Sequence, residues 1–148
     1  VLKRAADGLR NAEIDYRLVG GLAVFFHVDA RDPLAARFTR DIDLAIHRDD
    51  LNAIRVALEP LGFTYRHVAS VRPDYIEAVP NSPAVTDLAE GIALAPVSDL
   101  VLMKLTSFRE KDRVHIRDMD AVGLIMAALE SQLRPEFQAR LRQVRATE

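Results

Sequence analysis

Apolar residues at 2, 5, 6 and 9 recur with the spacing of one helix face, so residues 2–12 are expected to form an amphipathic helix. Residues 16–19 are uniformly bulky enough for a short strand, and a glycine pair and an apolar helix to about residue 28 follow. A polar loop with Pro33 covers 29–36, after which 41–46 alternates charge with apolar bulk, the period of a strand. Asp49 or Asp50 is placed to cap a helix running to about residue 58, closed by Pro60 and Gly62. Residues 63–68 alternate again and predict a third strand. Strand, helix, strand, helix, strand in this order implies a small α/β sheet layered with helices.

The second half changes character. Between 69 and 95 lie Pro73, Pro80, Pro83 and Gly91, with weak strand signals at 75–79 and 92–94. Ser98 and Asp99 then read as the cap of a helix over 100–105, a further helix is expected over about 114–131, and Pro135 suits the first turn of a last one. The expected organisation is a core over 1–97 with a helical portion, 98–148, packed on it as one domain. No repeat or low-complexity segment interrupts it.

Two features carry chemistry. Gly20-Gly21 follows Leu18-Val19, which reads as strand, tight turn, helix; residues without Cβ let backbone amides approach an anion, and the helix start adds partial positive charge. About twenty residues on comes Thr39-Arg40-Asp41-Ile42-Asp43-Leu44. On a strand Asp41 and Asp43 share a face, roughly 6–7 Å apart. Carboxylates so placed repel unless a cation sits between them or one takes a proton. Oxygen ligands with room left for phosphate and water suit Mg²⁺ better than zinc. Alone, a Gly-Gly is most often a turn and an Asp-x-Asp a solvated strand edge. In this order, each against a strand, they are far more specific: a phosphate held at the glycines with a metal on Asp41 and Asp43 is the apparatus of phosphoryl or nucleotidyl transfer.

Composition narrows the field. With 148 residues, 49% hydrophobic and 28% charged, the chain has the balance of an ordinary globular domain. A net charge of −2 provides no global basic field for nucleic acid. The absence of cysteine excludes disulfides, zinc–thiolate sites and thiol nucleophiles. No apolar run reaches the ~20 residues of a membrane span, so a cytoplasmic protein without membrane partners is expected. Starting at Val1, the chain is expected to be part of a longer product.

Lys104 interrupts an apolar helix and must either reach outward or aim its ammonium into a cleft. Downstream, Asp112, His115 and Asp118 step by three along one helix side, a stripe expected to be a solvated face more often than a site. Arg109, Arg113, Arg117, Arg134 and Arg140 likewise read as helix-surface charge, with an RNA-binding face as the alternative.

The set Leu18-Val19-Gly20-Gly21, Thr39-Arg40-Asp41-Ile42-Asp43-Leu44, Leu102-Met103-Lys104-Leu105 and Arg109-x-Lys111-Asp112 with Asp118 resembles the nucleotidyltransferase superfamily with a polymerase-β-like core. Within it the chain looks like the small bacterial branch that includes the abortive-infection toxin enzymes. The resemblance spans about residues 16–128. It implies an α+β fold, a small mixed sheet with flanking helices, and transfer of NMP from an NTP to an acceptor such as an RNA end, a protein or a small molecule. On this resemblance Gly20 and Gly21 cradle phosphates, helped by Thr39 and Arg40. Asp41 and Asp43 hold Mg²⁺ (or Mn²⁺), Lys104 meets the triphosphate, and Asp118 or Asp112 serves the acceptor, with tRNA as one candidate. A cognate antitoxin is an expected kind of partner, and a non-catalytic nucleotide- or partner-binding module is the alternative function.

One departure stands out. The superfamily places a third carboxylate on a neighbouring strand, yet the strand expected around 65–68 has no acid. Either that segment is lost or residues are missing between Ser70 and Val71; Asp74 and Glu77 are the nearest substitutes.

Overall fold

Leu18 is fully buried at the middle of the sheet. The computed structural model describes residues 1–66 and 82–147. In it β1 (Tyr16–Val19) pairs antiparallel with β2 (Asp43–Ile46), the ladder ending where Val19 faces Asp43. On its other side Leu18 bridges Leu94 in parallel: its N–H donates to the Ala93 carbonyl at 2.7 Å, and its carbonyl accepts from the Ala95 N–H at 2.9 Å. Leu94 in turn bridges Val85. All four residues of β1 are buried, as a strand covered on both faces requires. Arg17 tolerates this because its guanidinium donates to the Ser82 carbonyl at 2.9 and 2.6 Å.

Helices supply the rest: α1 (Leu2–Asn11), α2 (Gly20–Asp29), α3 (Leu51–Leu58), α4 (Val97–Ser107), α5 (Glu110–Ala121), α6 (Ala127–Gln132) and α7 (Pro135–Ala146). Helix α2 packs against β1, α4 and α5, and α7 covers α4 and α5. One core joins the halves, with Leu9, Leu18, Leu94, Leu100, Leu105, Ile116, Met119 and Leu141 all fully buried. The α+β class therefore holds. Among the described residues no helix is long and apolar enough to cross a membrane.

Local details depart from expectation for identifiable reasons. No turn separates β1 from α2, because Gly20, at φ +71°, itself changes direction and opens the helix. Asp41 lies outside β2. A pairing at 41 would need an extended residue at 21, and Gly21 is already helical. A 3₁₀ turn over Arg48–Asp50 precedes α3, and neither aspartate makes a side-chain cap. Gly62 does end the following turn, at φ +93°. Residues 63–66 form no strand, and the remaining expectations at 67–68, 75–79, Asp74 and Glu77 lie outside the described residues. Helix α4 begins at Val97, so Ser98 and Asp99 occupy its first turn rather than its cap. The helix expected over 114–131 is two, broken at Gly123, where φ is +77°. Pro135 does open the last helix.

Candidate active site

The glycine pair, the acidic strand and the α4–α5 junction meet at one cleft of about 560 Å³. Gly20, Gly21, Thr39, Asp41, Asp43, Lys104 and His115 are among its lining residues. Asp43 opens β2 opposite Val19, the residue before α2, so the sheet register brings its carboxylate to the start of that helix. A Cβ on Gly20 would overlap Asp43 Oδ2 and lie 3.1 Å from the Asp43 Cβ and Cγ. A Cβ on Gly21 would sit 3.1 Å from His115 Cε1 and 3.2 Å from Thr39 Cγ2. The protein's own side chains thus press on both glycines. Asp41, in the lead-in to β2, is exposed like Asp43, and its N–H makes a long contact of 3.4 Å to the Thr39 hydroxyl.

Lys104 is no surface lysine. At 7% exposure it lines the cleft wall and donates to Asp112 Oδ1 at 3.1 Å. Asp112, fully buried, also accepts from the Ser107 hydroxyl at 2.8 Å, the Arg109 N–H at 3.0 Å and the Arg109 side chain at 2.9 Å. It occupies the third position of α5 and reaches back to the amide of Arg109, the residue that caps the helix, as an N-terminal capping carboxylate does. Burial by itself would raise the Asp112 carboxyl. The bonds from Arg109 and Ser107 and the Lys104 charge outweigh it and hold the group below the usual carboxylate range. Burial lowers Lys104, opposed by Asp112.

The stripe on α5 is not the solvated face expected of it: Asp112 is buried against α4, Asp118 is held by Arg37, and His115 alone of the three lines the cleft. Three residues beyond Asp112, His115 stands over Gly21, and burial with the Lys104 charge pushes its imidazole down to about 4. Its Nδ1 is buried and has no hydrogen-bond partner among the described residues. Asp118, three residues further, accepts from Arg37 at 2.9 and 3.1 Å and does not line the cleft. Arg40 is exposed and also outside the lining. His115 is the cleft residue to which the sequence pattern attached no role. Its spacing from Asp112 was visible, but the direction α5 faces was not.

The surface arginines are largely occupied within the fold. Arg140 donates to the Leu105 carbonyl and to Thr106 O at 3.2 Å, closing the end of α4. Arg113 and Arg140 lie over the Phe108 ring at 4.4 and 5.1 Å. Arg134 pairs with Glu136 at 3.0 Å.

No curated protein matches this chain. Over residues 4–133, however, it matches the family described as nucleotidyltransferase of unknown function (DUF6036), and with most of its length so matched, the chain belongs to that family.

Proposed function

We propose that the protein is a metal-dependent nucleotidyltransferase that moves NMP from an NTP to an acceptor hydroxyl. The observation that carries this reading is the convergence of Gly20, Gly21, Thr39, Asp41, Asp43 and Lys104 on one cleft. Among the described residues no group of three or more His, Cys, Asp or Glu side chains is arranged to hold a metal. Two carboxylates facing open space nonetheless fit Mg²⁺, which takes one or two protein carboxylates and completes its shell with water and substrate phosphates. Asp41 and Asp43 would hold that ion (or Mn²⁺), and when bound it supplies charge to polarise the transferring phosphate and the leaving pyrophosphate.

The chain's own part is positioning and electrostatics. The N-terminal amides of α2 at Gly20 and Gly21 would receive the phosphate oxygens, with Thr39 beside them. Lys104, fixed by Asp112, contributes a buried positive charge at the cleft wall rather than a mobile one. Within the superfamily the motifs favour the small bacterial toxin branch, which makes an RNA end such as that of tRNA the first acceptor to try, and a cognate antitoxin a candidate partner.

Calorimetric titration of Mg²⁺-ATP and the other NTPs into wild type and Asp41→Ala/Asp43→Ala protein tests the reading. Metal-dependent binding lost in the double variant is the expected result. If the folded wild type binds no NTP, the assignment fails. If it binds NTP but transfers nothing to any acceptor, the chain is a nucleotide-binding module on this fold.

A further inference from the structure

Phe38 is a large aromatic side chain left 71% exposed; it lies outside the cleft lining but directly precedes Thr39 of the cleft wall. Leu34, on the same connection, is 97% exposed, but Phe38 differs in being held. Its ring meets Phe25 edge-on, with centroids 5.6 Å apart and planes at 87°, and Phe25 in turn meets Phe26 at 5.4 Å. The chain on either side is tied as well: Arg37 pairs with Asp118 of α5 at 2.9 Å, and Thr39 lies against Gly21. Phe25 is four residues beyond Gly21 in α2, so it occupies the same helix face roughly 6 Å further along. The Phe25–Phe38 pair therefore continues the line that starts at the glycines, away from the N-terminus of the helix.

We infer that Phe38, braced by Phe25, is the stacking platform for the base of the incoming nucleoside triphosphate. The inference rests on the nucleotidyltransferase reading of the cleft and adds the base subsite to it. The occupant must be flat and apolar on its faces, and it must be joined to a polyanion that reaches the carboxylates and the glycines, which lie about one helical turn back along α2 from Phe25. A nucleobase carried on ribose triphosphate meets those requirements. Stacking on an aromatic ring tolerates any base, because every base has a π-face. Exposure in the free protein follows naturally, since the face that receives the base must be open before it arrives.

The chain contains no tryptophan, so Phe38→Trp installs a sole indole reporter at this position. Mg²⁺-ATP is expected to quench it, and Mg²⁺-tripolyphosphate, which carries the anion without a base, is not. In calorimetry Phe38→Ala should weaken Mg²⁺-ATP binding about five- to hundredfold and leave tripolyphosphate affinity unchanged, and Phe38→Tyr should restore ATP binding. If wild type and Phe38→Ala bind ATP equally, with tripolyphosphate also bound, the platform is wrong while the phosphate site stands. If neither ligand binds the folded wild type, the nucleotide reading falls and the platform with it. If the indole responds to a single-stranded oligonucleotide but not to ATP, the ring serves another ligand and the inference is overturned.

Discussion

The Lys104 ammonium donates to the Asp112 carboxylate at 3.1 Å, with the two side chains 8% and 0% exposed. A buried pair of this kind is costly to break from one side, because the surviving charge stays out of water. Asp112 also satisfies the Ser107 hydroxyl and the Arg109 amide that precedes α5, so its removal orphans several donors at once. Asp112→Ala should lower unfolding free energy by about 3–5 kcal/mol. Lys104→Met, which leaves Asp112 its Arg109 and Ser107 partners, should cost less. Urea denaturation of the two variants checks the order, and equal costs would show that the lysine matters as much to the fold as the carboxylate.

The same pair shows how far the sequence could be read. Lys104 was visible as an oddity in an apolar helix, but its partner lies eight residues on, past a helix end where Phe108 adopts φ +48°. Periodicity along either helix alone cannot find such a contact. The Gly-Gly and Asp-x-Asp motifs were legible because each marks a local backbone demand, a positive φ or a strand period. Only the register, Val19 against Asp43, decides that Asp41 falls outside the strand. His115 and Asp118 read as a solvated stripe because α5 is charged on most sides. Which side meets α2 is set by burial of Ile116 and Met119, a tertiary choice.

The contact between Asp43 and Gly20 predicts an asymmetry within the glycine pair. Gly20→Ala forces an L-residue to φ +71°, costing roughly 1–2 kcal/mol, and drives a methyl group into the Asp43 carboxylate. Gly21 is helical, and the nearest atoms to its Cβ would be those of the His115 ring and the Thr39 methyl at 3.1–3.2 Å, which can give slightly. Gly20→Ala should therefore abolish Mg²⁺-dependent ATP binding while Gly21→Ala weakens it. Calorimetry on both, with circular dichroism to confirm folding, settles the order; equal losses would contradict it.

The imidazole of His115 gives the fold an acid sensitivity. It faces Lys104 and Lys111, which lower its affinity for a proton, and Asp112 and Asp118, which raise it, with burial dominant and the value pushed down to about 4. The unfolded chain, with an ordinary value near 6.5, binds the proton more readily than the native state between these limits. Stability is thus fully present above pH 6.5 and is lost as pH falls toward 4. His115→Gln should flatten the fall in unfolding free energy between pH 7 and 5 relative to wild type, read from denaturant midpoints. An unchanged pH slope would mean that His115 is not the group responsible.

Asp118 was expected at the acceptor, yet its carboxylate is taken by Arg37, which leads into Phe38 and Thr39. Asp118 is absent from the cleft lining, and through Arg37 it is placed to hold that connection. Arg37 is 68% exposed, so the pair itself should contribute only about 0–1 kcal/mol to stability. Its effect should appear in ligand binding, where loosening the segment before Asp41 spreads the carboxylate proposed to hold the metal over more positions. Arg37→Gln, Asp118→Asn and the double variant should weaken Mg²⁺-ATP binding by the same few-fold factor, because each breaks one shared contact. If the losses add, the Arg37–Asp118 pair does not carry the effect, and if Asp118→Asn alone reduces transfer at saturating ATP, Asp118 acts on the acceptor directly.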